Sequence, residues 1–275
     1  MPFLFFTVPA FTQLIFSLVA ITVRFFRGVI NPDWNSISLH CCWSSGHLSG
    51  IPVIFVPGNA GSVRQVRSLG SLLQNKTESR KEPFHFNVFG IDFNEELSGI
   101  AGMYLERQIR YLRFVVDQVW QIYHPSPKGL ILVGHSMGGI VIRSLLRDPN
   151  FNPSRIALII TLGTPHKSPR KNALIIIEQF YSDNNLTKNL KGSHVPMISI
   201  SGGLKDILVP EHLSVDTDFY HFSTTAIDGV EAEADHLCIV WCNQLVRKVS
   251  ITIAIYQVTV YFLIFLKKRL ELKIA

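Results

Sequence analysis

The chain has 275 residues, a net charge of +6, 47% hydrophobic residues and only 17% charged ones. That balance excludes extended disorder and points to one sizeable folded domain with additional apolar segments. The Lys and Arg residues are scattered, with no basic stripe interleaved with aromatics, so nucleic-acid binding is excluded; an anionic lipid surface suits the charge better.

Phe3 to Val23 carries no charge over 21 residues, long enough for a helix to cross a bilayer. It lacks a basic n-region and has only a weak cleavage site near Ala20. We expect a retained transmembrane helix rather than a cleaved signal, with residues 1–27 as a membrane anchor. Either reading places the remainder outside the cytosol. Arg24 and Arg27 after the segment argue the other way under the positive-inside bias. Residues 28–50, rich in Asn, Ser and His, read as a linker.

From residue 51 strands and helices alternate. Ile51–Val56 is a buried strand, and Gly58-Asn-Ala-Gly-Ser62 a turn. Val63, Val66, Leu69, Leu72 and Leu73 trace a helix face. Phe84–Ile91 is the next strand, and Met103–Tyr123 a long amphipathic helix that stops before Pro125. Gly129–Val133 is a strand and Gly139–Arg147 a helix. Strands follow at 156–162, 195–201 and 219–225, with helices over 172–181 and 236–248. Six strands alternating with helices predict an α/β domain over 51–248: a mostly parallel sheet of about six strands with helices on both faces.

Residues 249–275 form a C-terminal hydrophobic segment with a basic tail. Val249–Leu266 is uncharged and closed by Lys267, Lys268 and Arg269. It reads equally as a second span or as a buried β-rich segment, given Ile251, Thr252, Ile253, Thr259 and Val260. Cys41, Cys42, Cys238 and Cys242 form no C-x-x-C pair, so no zinc site is indicated. Cys238 and Cys242 suit packing on a helix, and a bridge from Cys41 or Cys42 to one of them stays open. The sequons at Asn75 and Asn185 support a lumenal location weakly.

The chemistry centres on Gly134-His135-Ser136-Met137-Gly138, which fits G-x-S-x-G between a strand and a helix. That is the nucleophile elbow of α/β-hydrolases. A serine hydroxyl needs a base, and the base an orienting acid, and in this fold they follow in the order Ser, acid, His. Asp206 follows a strand and a Gly turn; His236 follows the last strand. Ser136, Asp206 and His236 are therefore the expected catalytic triad, with Asp216 and Asp218 as alternative acids. His166 precedes the acid and is out of order as the base. It is expected to line the pocket or to bond within its loop. His135 is expected to pack beneath the elbow. The oxyanion hole should pair the Met137 N–H with Asn59 or Ala60 from the first strand's loop. Such hydrolysis needs neither metal nor cofactor.

Several stretches together resemble the GPI inositol-deacylase family: Ile51-Pro-Val-Ile-Phe-Val-Pro-Gly-Asn-Ala-Gly-Ser62, Gln65-Val-Arg-Ser68, Asp92-Phe-Asn-Glu-Glu-Leu97, Gly134-His-Ser-Met-Gly-Gly139, Thr164-Pro-His166, Gly202-Gly-Leu-Lys-Asp206 and Asp235-His-Leu-Cys-Ile-Val-Trp-Cys242. The resemblance spans residues 51–245. It implies a serine esterase of the endoplasmic-reticulum membrane, its hydrolase domain lumenal, that removes the acyl chain from the inositol of GPI-anchored proteins. Carried over, Ser136 is the nucleophile, with Asp206 and His236 completing the triad. The implied partners are the GPI lipid or GPI-anchored protein and the membrane. Members of that family are longer than this chain. Two alternatives stand beside this reading: a general lipid esterase or lipase, and a truncated, non-catalytic GPI-binding membrane protein.

Overall fold

A computed structural model describes residues 22–25, 37–42, 48–80, 84–169, 175–183, 195–216 and 219–274. Eight strands form one sheet: β1 (Thr22–Phe25), β2 (Ser38–Cys42), β3 (Ile51–Val56), β4 (Phe86–Asp92), β5 (Leu130–His135), β6 (Ile156–Leu162), β7 (Met197–Ser201) and β8 (Tyr220–Ser223). Their order is β1-β2-β4-β3-β5-β6-β7-β8. The six strands expected from the sequence run parallel to one another, and β1 and β2 join antiparallel at the β4 edge.

The helices are α1 (Val66–Arg80), α2 (Gly102–Ile122), α3 (Met137–Leu145), α4 (Ile175–Asp183), the short α5 (Glu211–Ser214) and α6 (Asn243–Ile274). Strand residues alternate between the two faces. Ile54 and Val56 of β3 join a core with Leu112, Val116 and Val119 of α2, Ile140 and Val141 of α3, and Ile177 of α4. Val53 and Phe55 face the other way, toward Val66, Leu69 and Leu73 of α1 and Leu245, Val246 and Val249 of α6. The period of two in the strands meets the period near four in the helices, and both faces are covered.

Three expectations are corrected. The stretch read as a linker contains β2, which pairs with β4 from Ser38↔Asp92 to Cys42↔Val88. Its signal is the short alternation that buries Ile37 and Leu39 in the core; five residues containing Ser, His and Cys lack the β-branched composition of the inner strands. The transmembrane helix expected over Phe3–Val23 is not supported. Thr22 and Val23 at its end belong to strand β1, and the rest of that segment lies outside the described residues. Residues 249–266 are not β-structure but part of α6. Leu245, Val249, Ile253 and Gln257 are buried at helical spacing, and the Tyr256 hydroxyl donates to the Ala157 carbonyl. Packing at that period overrides the strand preference of its β-branched residues. Among the described residues, no helix is long and apolar enough to cross a membrane.

The expected helix at 236–248 begins only at Asn243, after a single 3-10 turn at Cys238–Val240. Cys238 and Cys242 are free thiols, so no bridge joins them to Cys41 or Cys42. Asn75 is exposed on α1, and Asn185 lies outside the described residues.

Candidate active site

The carboxyl edge of the parallel strands carries the site, as open α/β sheets dictate. Ser136 stands between β5 and α3 at φ 52°, ψ −124°, a backbone conformation that is costly for a side-chain-bearing residue. The turn is tight because its glycines admit backbone contact. A Cβ on Gly138 would lie 2.2 Å from the Val56 carbonyl oxygen. The Ser136 N–H donates to the Leu162 carbonyl at 2.9 Å, and the Thr164 hydroxyl donates to the Ser136 carbonyl at 2.9 Å. The elbow is thus fixed from the next strand.

Ser136, Asp206 and His236 come from three loops and meet. Ser136 Oγ lies 2.9 Å from His236 Nε2. His236 Nδ1 lies 2.9 Å and 3.1 Å from the two Asp206 carboxylate oxygens. Asp206 is 2% exposed, and its Oδ1 also accepts from the Val209 N–H at 2.8 Å. A carboxylate on Nδ1 makes that nitrogen the N–H of the neutral ring, leaving Nε2 free to accept from the serine hydroxyl. The acid loop and the histidine loop are joined by the Ala234 N–H to the Gly202 carbonyl at 3.2 Å. Asp235, beside the histidine, accepts from the N–H groups of Leu237 and Cys238 at 2.9 Å and 2.7 Å, which starts the 3-10 turn.

Met137 begins α3, so its N–H has no acceptor one turn earlier. The loop after β3 presses directly against it: a Cβ on Gly58 would lie 2.6 Å from Ser136 Cβ and 3.3 Å from the Met137 nitrogen. Asn59 and Ala60 both line the cavity over Ser136. Their N–H groups differ. That of Ala60 donates to the Glu96 carbonyl at 2.9 Å and is already occupied. That of Asn59 has no hydrogen bond among the described residues, and the Asn59 side chain accepts from the Gly99 N–H at 2.7 Å. Of these two candidates, the one with a free N–H is therefore Asn59.

The cavity has a volume of about 580 Å³. Its walls are mostly apolar, with Ile100, Met137, Pro165, Ile177, Leu208 and Leu237, and the polar groups converge near Ser136. Among the described residues no cluster of His, Cys, Asp and Glu is arranged to hold a metal.

The remaining candidates are placed elsewhere. His166 is buried away from the cavity. Its Nε2 lies 2.8 Å from the Thr161 hydroxyl and its carbonyl accepts from Arg143 at 3.1 Å. Burial and the neighbouring Arg143 hold its imidazole well below the usual range, hence neutral. Asp216, the alternative acid, pairs with Arg143 at 2.6 Å. Asp218 lies outside the described residues. His135 is buried directly before the elbow serine with its ring beside that of His236, and burial lowers its pKa to about 4.

Sequence reasoning missed two supports. Glu96 holds the β3 loop through its carbonyl, while its buried side chain pairs with Arg107 and accepts from Gln108 at 3.1 Å. Arg143 is fully buried on α3 and ties that helix to His166 and Asp216. A lone arginine inside the apolar run Ile140–Leu146 was its available signal.

The PGAP1-like alpha/beta domain family matches residues 47–256. A GPI inositol-deacylase of Xenopus laevis is 37% identical over 211 residues, covering 72% of this chain and 23% of that protein. One from Debaryomyces hansenii is 35% identical over 240 residues, covering 74% and 23%. The chain thus spans about a quarter of the length of these relatives. Among solved structures, the mature lipase BlEst2 of Bacillus licheniformis superposes with a TM-score of 0.55 at 15% identity, over 78% of this chain and 97% of the lipase; this likeness concerns the α/β-hydrolase fold. With the family matched across more than two thirds of its residues, the chain belongs to the PGAP1-like alpha/beta domain family.

Proposed function

We propose that the protein is a serine ester hydrolase that removes the acyl chain from the inositol of GPI lipids or GPI-anchored proteins. The observation that carries the reaction type is the continuous contact from Ser136 Oγ through His236 to Asp206. The substrate class is supported by the relatives, which are named GPI inositol-deacylases. Exposed apolar side chains close in sequence to the triad also suit a lipid: Leu204 and Ile207 flank Asp206, Leu237 and Trp241 follow His236, and Leu237 lines the cavity. Membrane association and a lumenal position in the endoplasmic reticulum belong to the same proposal.

In this mechanism His236 Nε2 takes the Ser136 proton as Oγ attacks the ester carbonyl. Asp206 orients the imidazole and stabilises the imidazolium. The N–H groups of Met137 and Asn59 receive the charge developing on the carbonyl oxygen. His236 then returns the proton to the departing inositol oxygen. Water, deprotonated by the same ring, attacks the acyl-serine and releases the fatty acid, restoring Ser136. The apolar walls provide room for the acyl chain.

The test is complementation of deacylase-null cells with wild type and Ser136→Ala. Wild type should render surface GPI proteins sensitive to phosphatidylinositol-specific phospholipase C, and the variant should not. Well-expressed wild type that restores no sensitivity refutes the substrate. Hydrolysis of simple acyl esters by that same protein would then identify a general esterase. Folded protein that takes up no serine-directed fluorophosphonate refutes the reaction type.

A further inference from the structure

One buried imidazole at the site takes no part in the triad. His135 is the last residue of β5, directly before Ser136, and is 3% exposed. Its Nε2 lies 2.8 Å from the backbone carbonyl of His236. A carbonyl only accepts, so Nε2 carries the hydrogen and Nδ1 is the bare nitrogen. The two rings lie 4.9 Å apart, tilted by 39°. Nδ1 is buried without a hydrogen-bond partner, so a single bond fixes this ring's polar edge.

The position of that bond matters. His236 ends a long excursion after β8 in which Thr225, Ala226, Asp228, Glu231 and Ala232 are exposed. The excursion is tied to the acid loop through Ala234 and Gly202. The contact from His135 instead joins the histidine's own backbone to the strand that carries the nucleophile. An imidazole swung by a fraction of an ångström would lose alignment with either Ser136 Oγ or the Asp206 carboxylate, and catalytic geometry tolerates about 0.5 Å. The geometry points to His135 as a positioning residue that registers the His236 loop against the Ser136 strand, holding both triad contacts at once.

The titratable groups facing His135 are His236 and Asp206. Burial and the neighbouring His236 keep the His135 ring neutral, so it adds no charge beside the imidazolium that forms on His236. Its role is geometric. This inference rests on the triad reading above.

The test uses the full chain with two variants. His135→Phe keeps a flat ring against His236 but removes the donor; His135→Gln keeps a donor at similar reach but removes the ring. Where the Phe variant does not fold, His135→Leu replaces it. The readouts are kcat and KM on a soluble p-nitrophenyl ester, and the downfield proton resonance of the His236–Asp206 hydrogen bond. Thermal unfolding identifies variants that keep the fold. His135→Phe should lower kcat roughly 10- to 100-fold with KM nearly unchanged, and broaden or abolish the resonance. His135→Gln should recover kcat to within about threefold of wild type and restore the resonance. A folded Phe variant with wild-type kcat and resonance overturns the proposal, as does a folded Gln variant no better than Phe. Wild type that neither turns over ester nor reacts with fluorophosphonate refutes the catalytic reading instead, and the resonance comparison still decides the positioning claim.

Discussion

Substituting Gly58 with alanine tests the oxyanion assignment without replacing a triad residue. The added Cβ would lie 2.6 Å from Ser136 Cβ and 2.8 Å from the His135 carbonyl, where ordinary contact begins at 3.4 Å. Neither neighbour can give way. Ser136 is held by hydrogen bonds to Leu162 and Thr164, and His135 lies in the central sheet. The β3 loop must therefore retreat by about 0.8 Å, the difference between 3.4 and 2.6 Å, and the Asn59 N–H goes with it. A donor set at about 2.9 Å from the oxyanion would stand near 3.7 Å, beyond hydrogen-bond range. Losing one such donor costs about 3 kcal/mol of transition-state stabilisation, or roughly 10²-fold in kcat, with KM little changed. The assay is steady-state hydrolysis of a soluble ester, with fluorophosphonate labelling to count intact sites and thermal unfolding to confirm the fold. A folded Gly58→Ala protein with kcat within threefold of wild type would refute the placement of Asn59 in the oxyanion hole.

Other outcomes follow from the same contacts. Asp206→Asn keeps the side chain's shape but orients the wrong imidazole tautomer, and kcat should fall by about 10⁴ in the same ester assay; a loss under tenfold would remove Asp206 from the triad. Arg143→Met deprives the His166 carbonyl and Asp216 of their buried cation and should cost about 3 kcal/mol in urea unfolding; a change below about 1 kcal/mol would make the pair unimportant for stability. The folded-state pKa of His135 is about 4 against 6.5 in an unfolded chain. The unfolded chain therefore takes up a proton that the folded one refuses, so this stability is complete above pH 6.5 and is lost as pH falls toward 4. The amount is about 3 kcal/mol, and His166 adds to it with the same sign. Unfolding measured at pH 7 and pH 4.5 should show a smaller acid loss in His135→Gln than in wild type; equal losses would contradict a neutral, buried His135.

Much of this protein is written locally. The inner strands announce themselves because each is an apolar run bounded by turn residues, and the elbow because Gly, Ser and Gly must sit between a strand and a helix for Ser136 to reach the sheet edge. Chain order then singled out Asp206 and His236, since each follows a strand whose carboxyl end faces the same edge. The stretch Asp92–Leu97 was legible as a motif but not as a device. Only the fold showed the Glu96 carbonyl holding Ala60.

What the sequence could not decide depends on contacts between residues far apart. Asn59 and Ala60 are adjacent and look alike as donors; the Glu96 carbonyl, contributed by the next loop, takes one N–H and leaves the other. β2 is too short to declare itself, and exists because the β4 edge was open to pair with it. The segment after Val249 has strand-like composition, but the sheet face beneath it accepts residues at helical spacing. His135 and His236 are separated by 101 positions, so nothing local could show that one holds the backbone of the other. Periodicity and turn chemistry act over a few residues and determine the elements and the order of the catalytic groups. The direction of each N–H, and what a buried polar side chain bonds to, is settled only when distant loops close on the same edge of the sheet.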